Sequence, residues 1–327
     1  MPANLTPQYH AAEKRYREAK EVDDKIAALQ EMLAVMPRHK GTDHLYAGLR
    51  GKIARLGQES ERKQAGARRA GFYIRREGAG QVVLVGPANS GKSQLLAMLT
   101  SAVPEVAMYP YTTRALLPGM MKYEDIQIQL VDTPPLGHRS VRVLLSAVLH
   151  ATDLIAILVD LGIDPVSQFD WTLGQLQECR VVPVGTEPND ASETPSYAKK
   201  IMVIGNKSDL PGAYGHLQAL ESRCRSVCPV VTVSGTEGEG LDVLPGRLYD
   251  ALNIIRVYTK APGQRADMTE PVILQKESNV GEAATAIHKD IRRGLKYAVV
   301  WGSGKYQAQT VSKNHVLQEG DVVEFHA

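Results

Sequence analysis

The sequence has few cysteines, few aromatic residues and no long apolar run. Its 327 residues include only three cysteines, three phenylalanines and two tryptophans. Three cysteines are too few for a disulfide framework, so we expect free thiols and a cytoplasmic location. No stretch approaches the ~20 apolar residues that span a bilayer. The first residues, MPANLTPQYH, lack the basic-then-apolar pattern of a secretion signal. We therefore expect neither secretion nor membrane insertion.

The charge is spread unevenly along the chain. The net charge is +2, but residues 1–80 carry 16 Lys and Arg against 10 Asp and Glu, while the remainder carries 22 against 26. A basic helical segment is either a solvated surface or a contact for a polyanion such as RNA. The composition leaves both interpretations open.

The N-terminal part has the pattern of a helical arm. A chain of this length predicts two or three domains. Thr6-Pro7 and Thr42-Asp43 have the composition of helix starts, and apolar residues follow at helical spacing. We predict helices over 7–20, over 23–36 and from 42 onward, in an α-helical arm covering 1–75. Three glycines between 71 and 80 predict a hinge.

From Gln81 onward, short apolar runs alternate with amphipathic segments of helical length. This alternation predicts an α/β domain over 80–252, with a mainly parallel sheet and helices on both faces. The segment 181–199 is rich in Pro, Gly, Ser and Thr and predicts an extended loop. The predicted strands are 82–85, 126–131, 154–159, 201–204 and 230–233. The predicted helices are 91–102, 139–150, 167–179, 216–227 and 241–252.

The last part of the chain, 253–327, predicts a small α+β domain. It begins with the apolar segment IIRVYT and a Pro-Gly turn, and it ends on DVVEFHA. We predict strands at 272–274 and 297–301, with a helix over 281–292 between them.

The segment VVLVGPANSGKS places a phosphate-binding loop between a strand and a helix. Its glycines let the backbone wrap around phosphate oxygens, and the amides at the helix start point at negative charge. Lys92 can reach the β- and γ-phosphates, and the Ser93 hydroxyl can ligate Mg²⁺. The predicted contacts are Gly86, Asn89, Ser90, Gly91, Lys92, Ser93 and Gln94.

The segment IMVIGNKSDL predicts a guanine site at the end of another strand. The Asp209 carboxylate can accept hydrogen bonds from N1–H and the exocyclic amine of guanine, whereas adenine offers neither donor there. Asn206 suits the N7/O6 edge of the purine, and the Lys207 stem can cover the ring. Ser234-Gly235 ends the next strand and can add backbone contacts. We therefore expect GTP or GDP as the ligand rather than ATP.

GPANSGKS, DTP, NKSD and VSG in this order resemble a GTPase of the translation-factor-related class. The segment YPYTTRALLPG is similar to a switch segment of the Obg and DRG (developmentally regulated GTP-binding) families. MPRHKGTDHL, AIHKDIRRGLKYAVVWG and HVLQEGDVVEF resemble DRG proteins, and the last domain is similar to a TGS domain, which has a β-grasp fold. Only about 70 residues separate Asp132 from Asn206, too few for the domain that DRG proteins carry at this point.

The resemblance implies a GTP-hydrolysing switch that uses Mg²⁺ and binds a ribosome, an RNA or a regulatory protein through its arm and TGS-like domain. It assigns Mg²⁺ contacts to Ser93, Thr113 and Asp132. It assigns catalytic roles to Lys92, Thr113 and Asn89. The family links an asparagine at the position of Asn89 to K⁺-stimulated hydrolysis, although Asn89 can also serve only to stabilise the loop.

The segment VDTPPLGH departs from the family pattern after Asp132. The pattern Asp-x-x-Gly requires glycine where this chain has Pro135, which has no N–H to meet the γ-phosphate. Leu136 stands where Ras-like enzymes place glutamine; Gly137 could offer an amide and His138 could order water. A slow GTPase is our first interpretation. The alternatives are a GTP- or GDP-dependent binding module with negligible hydrolysis and an Obg-like ATPase, against which NKSD argues.

Basic residues cluster in the predicted TGS-like domain, ahead of an aromatic residue. A basic helix beside Trp301 can bind RNA backbone and bases. The alternative is a solvated basic helix with Trp301 in the core. The basic residues are His288, Lys289, Arg292, Arg293 and Lys296.

Overall fold

The computed structural model divides the chain into two compact units, 1–71 and 72–327, which are described separately. None of the helices in the parts that it describes is long and apolar enough to cross a membrane. The described residues are 15–16, 22–36, 48–52, 74–100, 116–137, 139–185, 196–304, 306 and 308–326.

The first unit contains helix α1, Val22–Val35, close to the predicted helix over 23–36. Leu29 and Met32 of this helix form a small buried core with Met36 and Leu49. Arg15 pairs with Glu31 of α1 at 2.9 Å. The predicted helices over 7–20 and from 42 onward lie largely outside the described residues, where only 15–16 and 48–52 are seen, both helical.

The second unit begins with a seven-stranded sheet of order β2-β3-β1-β4-β6, in which β5 and β7 both pair with β6. β2 and β3 are antiparallel and the other pairs are parallel. The strands are β1 (Gln81–Val85), β2 (Leu117–Tyr123), β3 (Ile126–Asp132), β4 (Leu154–Asp160), β5 (Val181–Pro183), β6 (Tyr197–Asn206) and β7 (Val230–Thr232). The helices are α2 (Lys92–Leu99), α3 (Arg139–Ala151), α4 (Pro165–Glu178), α5 (Ala213–Cys224) and α6 (Leu244–Leu252).

Two hydrophobic cores lie on opposite faces of this sheet. Val83 and Val85 of β1 pack with α3, α4 and α5, whereas Val82 and Leu84 pack with α2 and α6. A strand buried on both faces needs apolar residues throughout, and this requirement explains the unbroken apolar runs in the sequence. Cys179 and Cys224 are buried and Cys228 is half-buried, all as free thiols, as expected.

The sheet differs from the sequence analysis in two details: one strand was missed, and one predicted loop is shorter than expected. The sequence analysis missed edge strand β2, because Pro118 and Gly119 interrupt its apolar pattern; proline is tolerated at a sheet edge. The predicted loop over 181–199 is in fact bounded by strands. β5 begins at Val181 and β6 already begins at Tyr197, so β6 has ten residues.

A second sheet follows, with order β11-β10-β12-β8-β9. The single helix predicted over 281–292 is two helices, because His288 takes an extended conformation (φ −161°) between them. The strands are β8 (Ile254–Lys260), β9 (Asp267–Gln275), β10 (Tyr297–Trp301), β11 (Gln309–Val311) and β12 (Val322–His326), and the helices are α7 (Val280–Ile287) and α8 (Lys289–Gly294).

Candidate nucleotide site

The predicted phosphate loop joins β1 to α2, and its first and last glycines have conformations that exclude other residues. Gly86 has φ +151°, and a Cβ there would lie 2.3 Å from the carbonyl oxygen of Leu158. Gly91 has φ +96°, and a Cβ there would lie 2.1 Å from the Asn206 side-chain nitrogen. Both positions therefore require glycine for conformation and for space.

Lys92 is buried against this loop. Its Nζ donates hydrogen bonds to the carbonyl oxygens of Gly86 (3.2 Å) and Pro87 (2.8 Å). Burial lowers the pKa of Lys92, and the Asp132 carboxylate opposes that shift. The loop thus holds the buried Lys92 ammonium group against backbone carbonyls. A bound phosphate group can replace these carbonyls as the hydrogen-bond partner of Lys92.

Ser93 and Asp132 meet beside the lysine. The Ser93 hydroxyl donates to Asp132 Oδ2 at 2.5 Å. The other carboxylate oxygen, Oδ1, is buried without a hydrogen-bond partner among the residues that the structure describes. Burial raises the pKa of Asp132, against the Ser93 hydrogen bond and the charge of Lys92. The Ser93 hydroxyl and the Asp132 carboxylate, with its unsatisfied Oδ1, are oxygen ligands of the kind that a divalent cation such as Mg²⁺ prefers. Thr113 and His138 lie outside the described residues.

Asn206 connects the phosphate loop to the loop after β7. Its side-chain nitrogen donates to the carbonyl oxygen of Ser90 at 2.9 Å, and its oxygen accepts from the Gly235 amide at 3.1 Å. Ser90 is itself buried and donates to the Pro87 carbonyl. The sequence assigned Asn206 to the purine edge; the structure adds that this buried amide holds two site loops together.

The remaining base-site residues form a hydrogen-bonded group around Asn206. Ser234 is buried and donates to Asp209 at 2.6 Å, while the Asp209 side chain stays exposed. Gln94 of α2 donates to the carbonyl oxygen of Gly235 at 2.7 Å. The structure therefore brings together the predicted residues of the phosphate loop, NKSD and the Ser234-Gly235 step.

Asp160 is a site residue that the sequence analysis missed. It ends β4, and its carboxylate pairs with Lys207 Nζ at 2.5 Å and accepts from the Gly162 amide at 2.8 Å. Lys207 has φ +64°, so its stem is fixed both by backbone and by this ion pair. The sequence does contain an indication of this role, because Asp160, like Asp132, stands at the carboxyl end of an apolar strand.

The unusual segment after Asp132 turns into the hydrophobic core. Thr133 is buried and donates to the Leu84 carbonyl at 2.7 Å, and Pro135 is half-buried. Leu136 is fully buried in the core formed with α3 and α4. Leu136 occupies the sequence position of a water-orienting glutamine, but its side chain packs in the core.

In the second sheet, the Trp301 side chain is half-buried and is not part of the hydrophobic core of the domain. The Lys260 Nζ is 4.3 Å from the centroid of its ring. Trp301 therefore lies outside the domain core, contrary to one part of the alternative prediction, whereas the solvated basic helix of that alternative agrees with the structure. The basic residues around α8 are exposed, namely His288, Lys289, Arg292, Arg293 and Lys296.

Comparison with known families agrees with this arrangement. The family model described as "50S ribosome-binding GTPase" matches residues 81–187, and the TGS domain model matches residues 255–327. The chain is a DRG/Obg-related GTP-binding protein with a TGS domain. Its P-loop GTPase domain is an α/β domain with a mainly parallel sheet, as the sequence predicted.

Relatives of this DRG-related protein match along most of their length. An uncharacterized GTP-binding protein of Methanocaldococcus jannaschii is 27% identical over 361 residues, covering 92% of each chain. Developmentally-regulated GTP-binding protein 2 of Homo sapiens is 25% identical over 364 residues, covering 92% of this chain and 98% of its own. Since 92% of 327 residues is about 300, about 60 positions of the archaeal alignment face a gap in this chain. The short segment between Asp132 and Asn206 agrees with such a gap.

A solved structure supports the fold alone. The GTP binding protein from Pyrococcus horikoshii OT3 has a TM-score of 0.51 and 13% identity, covering 76% of this DRG-related chain and 99% of its own.

Proposed function

We propose that this protein binds GTP and GDP and hydrolyses GTP slowly, as a switch associated with ribosomes or RNA. The observation that carries the proposal is the Asn206 amide, which joins the phosphate loop to the Ser234-Gly235 step beside the exposed Asp209 carboxylate. A single buried side chain thereby fixes the distance between a phosphate subsite and a guanine subsite. The proposed nucleotide contacts are Gly86, Asn89, Ser90, Gly91, Lys92, Ser93, Gln94, Asp132, Asn206, Lys207, Asp209, Ser234 and Gly235.

The residues around Asp132 would hold Mg²⁺. Ser93, Thr113 and Asp132 are the proposed contacts, and the bound ion would neutralise charge on the β- and γ-phosphates. Lys92 has its own role beside the ion. Its ammonium group, held at the loop by Gly86 and Pro87, would turn to the phosphate oxygens and stabilise the charge that develops during in-line attack by water.

Guanine selectivity is tested by competition. ATP should fail to displace a fluorescent GDP analogue from the full chain, whereas unlabelled GTP should displace it. Asp209→Asn should lose affinity for GDP by at least about 10-fold, because an amide nitrogen would face the N1–H donor. Equal competition by ATP and GTP would support the Obg-like ATPase alternative instead.

Hydrolysis is tested by single-turnover measurements. We expect a slow intrinsic rate because Pro135 offers no amide and the Leu136 side chain is in the core. A binding module without turnover is the second candidate, favoured by the same two residues. Measurable GTP cleavage by wild type that disappears in Lys92→Ala supports the GTPase. Absence of cleavage in both wild type and Pro135→Gly, with GTP bound, supports the binding module.

Potassium is proposed as an activator through Asn89. This residue is exposed at the loop tip with φ +62°, and its side chain makes no hydrogen bond to any residue that the structure describes. It is therefore available to a bound ion, which would offset negative charge between phosphates. Hydrolysis should be faster in KCl than in NaCl, and Asn89→Ala should remove the difference. Equal rates in both salts would refute this part of the proposal.

The partner is proposed to be a ribosome or RNA, bound through the arm (1–75) and the TGS domain (253–327), which precede and follow the GTPase domain (80–252) in the sequence. Support comes from the basic arm, the exposed basic residues around α8 and the match to a family described as ribosome-binding. The test is co-sedimentation of the full chain with ribosomes, with GDP or a non-hydrolysable GTP analogue bound. Failure to co-sediment in both states would refute ribosome association.

A further inference from the structure

Asp160 lies at the end of the strand that separates the two halves of the nucleotide site. The sheet order places β4 between β1, which leads into the phosphate loop, and β6, which leads into NKSD. In the pairing of β4 with β6, Asp160 lies directly opposite Asn206. A nucleotide with its phosphates at the loop after β1 and its base at Asp209 must therefore cross the end of β4, where Asp160 stands.

The backbone of Asp160 is fixed by its neighbours. The Gln168 side chain of α4 accepts a hydrogen bond from the Asp160 amide at 2.9 Å and donates one to the Asp160 carbonyl oxygen, also at 2.9 Å. The next residue, Leu161, donates its amide to the Asn206 carbonyl oxygen at 2.9 Å. Contacts with α4 and β6 therefore set the position from which the carboxylate extends.

The two carboxylate oxygens of Asp160 have different partners. Oδ1 accepts a hydrogen bond from the Gly162 amide at 2.8 Å, which orients the carboxylate. Oδ2 pairs with Lys207 Nζ at 2.5 Å, and the Asp160 side chain is only 14% exposed. An ion pair that is this well sheltered from water is stronger than a fully exposed pair, because the surrounding protein screens the two charges less.

Lys207 is held at both of its ends. Its amide donates to the Asn206 side-chain oxygen at 2.8 Å, and its backbone has the left-handed conformation, with φ +64°. Its ammonium group is held by Asp160. The side chain therefore runs from the end of β6 to the end of β4, across the edge of the sheet that lies between the phosphate loop and Asp209.

The ion pair decides between two roles for Lys207, as a cation for phosphate or as a cover for the base. The pair with Asp160 has no net charge, so it adds little attraction for phosphate, and Lys92 already supplies a cation at the phosphate loop. What Asp160 supplies is order. A lysine side chain that is fixed before the base arrives loses no further rotamer freedom on binding.

We propose that Asp160 is a positioning residue for guanine, which holds the Lys207 stem in place as a cover for one face of the purine ring. The inference rests on the guanine site proposed above and adds the residue that fixes its shape. Asp209 selects the base through hydrogen bonds to its edge. The pair of Asp160 and Lys207 acts on the ring face and determines how tightly the selected base is held.

The test begins with the affinity of the full chain for a fluorescent GDP analogue. Asp160→Asn can keep the Gly162 hydrogen bond but not the charge that holds Lys207. Binding should weaken about 10-fold, since the rotamer freedom of one lysine side chain must then be lost on binding. The matched control is Asp164→Asn, since Asp164 is exposed at the start of α4; it should bind GDP like wild type. A cooperative unfolding transition confirms that each variant is folded.

Competition with unlabelled nucleotides separates an effect on the base from an effect on the phosphates. Asp160→Asn should weaken GDP and a non-hydrolysable GTP analogue by the same factor, because both contain the same purine ring. A change that depends on the freed charge of Lys207 would instead differ between the two nucleotides, because they carry different numbers of phosphates.

A double-mutant cycle tests whether Asp160 acts through Lys207. Lys207→Met keeps an apolar stem but leaves the Asp160 carboxylate without its cation. In this background Asp160→Asn should restore part of the GDP affinity, because it removes an unpaired charge beside the base. A residue that only supports the local backbone would weaken binding equally in both backgrounds.

Three results would overturn the proposal. One is wild-type GDP affinity in Asp160→Asn. Another is an equal loss from Asp160→Asn in the wild-type and Lys207→Met backgrounds. The third is a loss for the GTP analogue without a loss for GDP. If wild type binds no guanine nucleotide, the function proposed above fails; if wild type binds GDP and Asp160→Asn binds it equally well, only the role of Asp160 fails.

Discussion

Arg256 of β8 forms an ion pair with Asp125, at the turn between β2 and β3, with 2.5 Å between Nη1 and Oδ1. The same guanidinium donates through Nε to Glu319 at 2.7 Å. It also lies 5.4 Å from the ring centroid of Tyr249 in α6. The Arg256 side chain is only 13% exposed. This mostly buried cation joins the TGS sheet to the GTPase sheet.

Removing this cation should destabilise the second unit. Arg256→Met removes the cation that pairs with the Asp125 and Glu319 carboxylates, which then keep only neutral hydrogen-bond donors. We expect a loss of about 2–4 kcal/mol in the free energy of unfolding. Urea unfolding of the full chain measures it. The control is Arg265→Met, whose exposed side chain has no partner among the described residues and should change stability by less than about 0.5 kcal/mol. Similar losses in the two variants would contradict the role of Arg256.

Acid should weaken the same junction. Burial acts to raise the pKa of Asp125, but hydrogen bonds from Tyr258 and Arg256 outweigh it and hold the pKa below the usual 3.8. The folded state therefore favours the charged carboxylate, and this stability is present above pH 3.8 and lost as pH falls through the folded pKa. Wild type should exceed Asp125→Asn in stability near pH 6, and the difference should shrink below about pH 4. A constant difference across that range would argue against a charged Asp125.

Asp132 should show the opposite dependence in nucleotide-free protein. Burial raises its pKa above 3.8, so folded Asp132 keeps its proton to higher pH than unfolded Asp132 does. Wild type thus loses stability as pH rises from 3.8 through the raised pKa. Asp132→Asn should be more stable than wild type by about 1 kcal/mol near neutral pH and should lose that advantage near pH 4. The same variant should bind GDP with Mg²⁺ at least about 10-fold more weakly, which fluorescence titration with and without Mg²⁺ measures. A variant less stable than wild type at neutral pH would refute the prediction.

Gly91→Ala should abolish nucleotide binding through Asn206. The new Cβ would collide with the Asn206 side-chain nitrogen, and φ at +96° adds backbone strain. Gly212→Ala is the matched control, because Gly212 has φ +84° and a Cβ added there would meet no atom within 4 Å. The control should lose only about 1 kcal/mol of stability and keep full GDP affinity. Equal GDP affinities in the two variants would show that the Asn206 contact is not needed.

The phosphate and guanine motifs could be predicted from sequence because each follows a strongly apolar strand. The carboxyl ends of parallel strands meet at one edge of a sheet, and this rule explains why Lys92, Asp132 and Asn206 lie near one another. The contacts of the Asn206 side-chain amide could not be predicted, because they depend on the relative positions of two loops that are 116 residues apart in the sequence. The burial of Leu136 also required the positions of α3 and α4.

Other features escaped prediction for local reasons. β2 is an edge strand, and its Pro118 and Gly119 weaken the alternating pattern on which strand prediction depends. The break at His288 has no proline or glycine to mark it. The partners of Arg256 could not be predicted either, because a charged residue in an alternating strand does not reveal a carboxylate 131 residues away.

The β2–β3 hairpin gives the site a mechanical connection to the TGS domain. Its seven residue pairs run from Leu117 opposite Asp132 to Tyr123 opposite Ile126, and the turn beyond them carries Asp125. Antiparallel strands can slide past each other only if all the hydrogen bonds between them break together. A shift by one residue also moves every side chain of the strand to the opposite face of the sheet. A shift of Asp132 along its strand must therefore either be absorbed within these seven pairs or pull on Arg256. The hairpin is thus a rigid link between Asp132, the proposed Mg²⁺ ligand, at one end and the TGS domain, bound through Arg256, at the other.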